Sequence, residues 1–206
     1  EVVGEMTDII RKQMYYVGFR QALSPVVDIT RDPRWGRITE TYGEDAALTS
    51  AMASAFVKGI QGDELKEGVL ATAKHFAGHG ITEGGLNMGR NIVSERDMRE
   101  IHCKPFQCAI TEAGLKSVMN SYCSVNGEPV VGSKKMLTDI LRGEMGFQGF
   151  VVSDYLSLDR LVDPFAVAEN FEEAGIRAIQ AGLDVEYPRS KGFSYKMKES
   201  IESGRL

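Results

Sequence analysis

Asp154 ends the short apolar run Gly149-Phe150-Val151-Val152-Ser153, and Tyr155 follows it. A carboxylate at the C-terminal end of a buried parallel strand stands where α/β barrels carry their catalytic groups. Aspartate is also a good helix N-cap, and on this segment alone the cap is the stronger reading. The balance turns on how many other apolar runs end in polar residues. Residues 69–73 lead into Lys74-His75-Phe76, and residues 116–119 into Asn120-Ser121-Tyr122. Residues 21–27 lead into Asp28, with Arg31, Asp32, Arg34, Trp35 and Arg37 behind it. Asp184 and Glu186 belong to a short fifth candidate. In a parallel sheet these ends face one way, so the polar groups converge on one rim, where such sheets bind ligands.

Each group has a bland reading beside its chemical one. A strand-end lysine such as Lys74 can form a Schiff base if its pKa is depressed, or donate to sugar hydroxyls without that change. Structurally, Lys74 would neutralise a buried carboxylate, with His75 as a satisfied core histidine. His75, His79 and Glu83 recur every four residues, which is metal-ligand spacing only on a helix. Gly78, Gly80, Gly84 and Gly85 argue against a helix there, so neither a metal nor a cofactor is expected. Gly78-His79-Gly80 also lacks the Lys-Ser/Thr ending of a phosphate loop. Arg31 and Arg34 read as partners of the carboxylates around them, Asp28, Asp32, Glu40 and Glu44. Trp35, the only tryptophan, reads first as a packing residue and second as a surface for a sugar ring.

The elements that must carry these groups alternate. Val3, Met6, Ile10, Met14 and Val17 fall at helical spacing, and Gly18 ends the pattern. Strands are expected over 21–27, 69–73, 116–119 and 150–153, with a fifth at 183–186. Asp45 caps a helix whose apolar stripe is Leu48, Met52, Phe56 and Ile60, stopped by Gly62. Ser94 and Asp97 resemble a capping box ahead of Met98, Ile101, Phe106 and Ile110, on a helix that Pro105 is expected to kink. Ser133 heads a helix carrying Leu137, Ile140, Leu141 and Met145; later helices hold Val167, Phe171, Ile176 and Ile179, and residues 197–201. Strand and helix alternating about five times predict a parallel α/β sheet. A closed eight-stranded barrel usually needs ~250 residues. Five strands therefore leave an open doubly wound sheet or a piece of a barrel, and the helix-first start favours the piece.

Composition bounds the function classes. The 206 residues are 43% hydrophobic and 26% charged, with net charge -5, an ordinary globular balance. No basic run suggests nucleic acid, and no apolar stretch approaches the ~20 residues that cross a bilayer, so neither is an expected partner. Cys103, Cys108 and Cys123 are odd in number and lack Cys-x-x-Cys spacing. Free buried thiols are expected, with a lean towards a reducing compartment such as the cytoplasm.

Five strings in order sharpen this reading: Val27-Asp28-Ile29-Thr30-Arg31-Asp32-Pro33-Arg34-Trp35-Gly36-Arg37, Glu40-Thr41-Tyr42-Gly43-Glu44-Asp45, Lys74-His75-Phe76-Ala77-Gly78-His79-Gly80, Ser117-Val118-Met119-Asn120-Ser121-Tyr122, and residues 149–155. In order and spacing the chain resembles glycoside hydrolase family 3 of the β-glucosidase type. The resemblance implies a (β/α)8 TIM-barrel-like domain, incomplete here with about five βα units, that releases non-reducing terminal β-linked sugars with retention. Glucose is the sugar it favours. It makes Asp154 the nucleophile, gives Arg37, Lys74 and His75 the hydroxyls of the terminal sugar, and lines the same subsite with Met119 and Tyr122. Tyr155 stands where many members carry tryptophan. The resemblance also implies that residues 1–206 are part of one barrel domain. The first barrel strands would precede Glu1, and the acid/base would follow Leu206, often in a second α/β domain. The expected partners are then a small carbohydrate and the remainder of the polypeptide or a complementary chain, and these residues alone are expected to be nearly inactive. A retaining glycosidase needs its second carboxyl about 5–5.5 Å from the first. β-Xylosidase is an alternative within the family. β-N-acetylhexosaminidase is another, but that branch carries Asp-Ser-His in a loop that here reads Ile81-Thr82-Glu83-Gly84-Gly85-Leu86-Asn87. Outside the family, Lys74 would suit a Schiff-base lyase.

Overall fold

Local signals set where the elements start and stop, and helix and strand alternate as their order predicts. The computed structural model describes residues 1–206. In chain order it has α1 (Val2–Tyr16), β1 (Gln21–Ala22), α2 (Ala46–Gln61), β2 (Leu70–Phe76), β3 (Arg90–Asn91), α3 (Glu95–Asp97) and a π-helical turn (Met98–His102). Then come α4 (Lys104–Ala113), β4 (Ser117–Asn120), β5 (Ser124–Val125), β6 (Glu128–Pro129), a π-helical segment (Lys135–Glu144), β7 (Phe150–Val152), α5 (Ser157–Val162), α6 (Phe171–Ala181) and α7 (Met197–Glu202).

The main sheet is parallel throughout, in the order β1-β2-β4-β7. Val185 adds a fifth position by bridging Val152. Helices cover this sheet, so its strands are apolar on both faces rather than alternating; every residue of β4 is buried. Crossover helices between adjacent parallel strands make this an incomplete TIM-barrel-like α/β domain. A polar layer lies among the strands. The Gln21 side-chain amide donates to Thr72 Oγ1 (2.9 Å), Thr72 Oγ1 donates to Ser117 Oγ (3.1 Å), and Tyr187 Oη donates to Gln21 Oε1 (2.9 Å). Phe76, Phe106, Val118, Leu137, Leu141, Val151 and Leu158 belong to the apolar core.

Four expectations need correction. The regular part of the first strand is only Gln21–Ala22, because Pro25 has no N–H to donate to a ladder; the chain still follows β2, with Val27 N–H donating to the Lys74 carbonyl (2.7 Å). The second strand runs three residues further than 69–73, carrying Lys74 and His75 inside it. The buried face of α2 is Ala53, Val57 and Ile60, flanked by Thr49, Ser50 and Ser54, while Leu48 is 52% exposed. On the other side of α2, where α1 crosses closely, a small residue is required: a Cβ on Gly59 would fall 1.9 Å from Thr7 Oγ1 and 2.5 Å from the Gly4 carbonyl oxygen. Pro105 does not kink a continuous helix. The chain widens into the π-helical turn before it, and α4 restarts with Pro105 in its first turn, where the missing N–H costs nothing. The caps at Asp45 and Ser94 are formed as expected, by bonds to Leu48 N–H (2.6 Å) and Asp97 N–H (3.0 Å). The small sheet β3-β5-β6 and helix α5 had no counterpart in the sequence reading.

Candidate active site

The carboxylate that ends β7 is not a helix cap. Asp154 Oδ1 accepts the N–H of the next residue, Tyr155 (2.7 Å), and α5 begins beyond it without a side-chain cap. Its own N–H donates to Asn120 Oδ1 (3.2 Å), which ties the end of β7 to the end of β4. Leu156 is in the left-handed region at φ 62, a strained conformation for a branched residue, and this reverses the chain just after the carboxylate. Asp154 is 8% exposed, and its Oδ2 is sealed from solvent with no hydrogen-bond partner.

His75, from β2, lies beside it. Its Nε2 is 3.4 Å from Asp154 Oδ2, and its Nδ1 is 2.7 Å from Asp28 Oδ2. The same Asp28 oxygen accepts the His75 backbone N–H (3.1 Å). Asp28 follows the chain segment that pairs with β2, so the register of that segment creates the contact. Both side chains are buried. Burial pushes Asp28 up to about 6 and His75 down to about 3. Behind His75, the His79 ring packs edge-on at 4.5 Å between centroids, and His79 Nε2 is held by the Asn87 carbonyl (2.7 Å).

The cations stand further out. Arg37 is clamped by Glu40 through two bonds, Nε to Oε1 (2.6 Å) and Nη2 to Oε2 (2.7 Å), and this pairing raises its pKa. Lys74 is half-buried and makes no ion pair; burial lowers its pKa, opposed first by the charge of Asp154. Lys74 therefore does not neutralise a buried carboxylate through a direct contact. Tyr122 donates its hydroxyl to the Tyr155 carbonyl (2.8 Å), and burial with the nearby Asp154 charge raises its pKa. Met119 pairs with Val152 in the sheet and is buried beneath the rim. Tyr155 is 48% exposed, stands edge-on to Tyr187, and lines an open cleft with Gln21, Leu23 and Pro188.

Other sequence candidates stay outside this cluster. Asp184 binds Arg142 and the Val151 N–H, and the Glu186 carboxylate accepts the N–H groups of Lys191, Gly192 and Phe193. Both hold loops. Glu83 pairs with Arg90 (2.7 Å). Trp35 is fully buried, with Nε1 donating to Asn87 Oδ1 (3.2 Å), so it packs and offers no face to a sugar. Asp28, His75 and His79 bring ligand-type atoms within 4.8 Å of one another. His75 Nδ1 and His79 Nε2 are already committed to Asp28 and Asn87, so the trio reads as a hydrogen-bonded support for His75. Sequence reasoning placed Asp28 and Asn120 among the strand-end polar groups without giving either a role, and read Glu40 as a partner of Arg31 and Arg34 rather than of Arg37.

The family model described as the glycosyl hydrolase family 3 N terminal domain matches residues 1–206. The chain belongs to glycosyl hydrolase family 3. A β-xylosidase of Formosa agariphila is 40% identical over 90% of this chain, and the periplasmic β-glucosidase of Salmonella typhimurium is 34% identical over 92%. The chain spans about a quarter of their length, 26% and 25%. Among solved structures, the β-glucosidase of Listeria innocua matches all of the chain with a TM-score of 0.94 at 34% identity, over 29% of its own length. That enzyme has been solved with glucose, with isofagomine and, as a D270A mutant, with laminaribiose. The family 3 fold thus accounts for the incomplete barrel and for the common rim of its strand ends.

Proposed function

We propose that the polypeptide carrying this chain hydrolyses terminal β-linked sugars with retention, using Asp154 as the nucleophile. One observation carries the reading: a mostly buried carboxylate follows β7 at the C-terminal rim, 3.4 Å from His75 and within the field of Lys74 and Arg37. The charge of Asp154 acts on Lys74 and Arg37 and favours their protonated forms, which places two cations around the carboxylate. In the first step, an Asp154 oxygen bonds to the anomeric carbon as the bond to the leaving oxygen breaks, and a second group supplies the leaving group's proton. In the second step, water attacks the same carbon, gives its proton to that second group, and frees Asp154. No carboxylate of this chain is assigned the second role. Lys74, His75 and Arg37 bind the sugar hydroxyls, Met119 and Tyr122 line the same subsite, and Tyr155 forms the wall next to the nucleophile.

The sugar is glucose in this proposal, supported by the glucosidases among the relatives. The xylosidase at 40% identity supports xylose as the second reading. Comparing kcat/KM for aryl β-glucosides and β-xylosides decides between them. A 2-deoxy-2-fluoro-β-glycoside with a good leaving group should label Asp154, as seen by peptide mass, and Asp154→Asn should abolish labelling. Labelling that persists in Asp154→Asn would overturn the assignment. Borohydride trapping of a carbonyl substrate on Lys74 would support the lyase instead.

A further inference from the structure

One arginine close to the nucleophile is held in place but unpaired. Arg160 lies on α5, the helix that begins just after Asp154. Its guanidinium carbon stands 5.1 Å from the centroid of the Tyr122 ring, over the ring face. Its Nε is sealed from solvent without a partner; its two terminal nitrogens are not sealed, and they too donate to no protein group. The adjacent carboxylate, Asp159, is spent on Lys191. Elsewhere in the fold Arg37 is spent on Glu40, Arg142 on Asp184, and Arg99 on Glu95 and Glu144. Arg31 and Arg189 are exposed and solvated, whereas Arg160 is half-buried. A half-buried cation without an anion loses hydration and gains nothing from the protein in return.

We propose that Arg160 is a specificity-determining residue that receives a carboxylate carried by the leaving group of the substrate. This rests on the function proposed above and names a substrate class within it: β-glycosides whose leaving group is an acid, such as those of hydroxybenzoic acids. The neighbours give the placement. The charges that act most on Arg37, Lys74 and His75 come from Asp154, Asp28, Glu40 and one another, whereas Arg160 acts on Tyr122. Arg160 therefore stands outside the group that holds the terminal sugar, along the face of Tyr122. The Tyr122 hydroxyl is tied to the carbonyl of Tyr155, the wall next to the nucleophile (2.8 Å). A carboxylate on the terminal sugar would lie against Asp154 and be repelled; one on the leaving group lies further out, within reach of Arg160. A guanidinium meets a carboxylate through two parallel N–H bonds, and both terminal nitrogens are free to make them. Stacking on Tyr122 orients this fork in advance, so binding costs little order.

The test uses the natural polypeptide and two substrates of one shape, the β-glycosides of para-hydroxybenzoate and para-hydroxybenzamide, with the sugar it turns over faster. The readout is the ratio of their kcat/KM, charged over neutral. Comparing this ratio between variants cancels the intrinsic difference between the leaving groups. Arg160→Gln should lower the ratio about fivefold. Arg160→Lys, which keeps the charge and loses the fork, should restore part of it. In the unaltered protein the ratio should fall as ionic strength rises, because salt screens an attraction. Without Arg160 the charge of Asp154 repels the benzoate, and salt should raise the ratio instead. An unchanged ratio in Arg160→Gln would overturn the proposal even if both substrates slow, since that is the result if Arg160 only packs on Tyr122 or holds a carboxylate of the remaining polypeptide. So would a loss seen for β-glucuronide over β-glucoside with one neutral leaving group but not for benzoate over benzamide, which moves the anion to the terminal sugar. If Arg160→Gln does not fold, salt decides in the unaltered protein: a flat or rising ratio counts against Arg160. Turnover of neither glycoside would instead remove the glycosidase reading beneath, and the proposal with it.

Discussion

At the scale of single residues, the site works by commitment and release. Arg37 is committed to Glu40, His79 to Asn87, and Tyr122 to the Tyr155 carbonyl, whereas the buried Asp154 Oδ2 is left without a partner. Tyr122 makes this testable. Its hydroxyl closes a bond between the ends of β4 and β7, and burial beside Asp154 keeps it protonated above the ordinary tyrosine range. Tyr122→Phe should cost about 1 kcal/mol in chemical denaturation and lower kcat/KM. The alkaline limb of the pH profile should not move, because a phenol that never ionises in that range contributes none. Asp154, Lys74 and His75 were legible as polar residues ending apolar runs. The role of Asp28 was not, because its contact with His75 joins residues 47 apart, and only the sheet brings them together.

At the scale of elements, the legible features are those whose cause is local. Asp45 and Ser94 cap helices because their oxygens reach N–H groups three residues on, and Gly62 ends α2 because it takes a positive φ of 65. Features that depend on a neighbour were misread. A hydrophobic stripe chose Leu48, Met52 and Phe56 for the inner face of α2, yet the side turned inward carries Thr49, Ala53 and Val57, and α1 crosses the other side at Gly59. β3, β5 and β6 have two residues each, too few to show a period. The α1–α2 crossing predicts a measurable cost. Gly59→Ala gains up to about 1 kcal/mol of helix propensity but drives its Cβ into Thr7 and the Gly4 backbone. Overpacking of this kind costs roughly 1–3 kcal/mol, so denaturant midpoints should fall. A rise would mean that the helices slide apart freely.

At the scale of the whole molecule, buried histidines link stability to pH. Burial lowers His79 and His102 from 6.5 to about 4. The unfolded chain therefore binds more protons than the folded one between these values, and stability falls as pH drops from about 6.5 towards 4. Each contributes on the order of 3 kcal/mol at the acid end; Asp28, raised by burial, opposes part of it. Thermal midpoints of the natural polypeptide should fall across that window, and His102→Asn should shallow the slope. The polar layer of Gln21, Thr72, Ser117 and Tyr187 acts on a different quantity, the order of assembly. Tyr187 and Gln21 are 166 residues apart, and closing so long a loop costs upwards of ~4 kcal/mol. One hydrogen bond returns only about 1 kcal/mol, so this one forms after the intervening strands have aligned. A sheet that assembled with a strand slipped or exchanged would strand the buried hydroxyls of Thr72 and Ser117 in an interior without partners, each costing about 1–3 kcal/mol. The layer is thus a check on strand order: it adds little to the correct fold and penalises the incorrect ones.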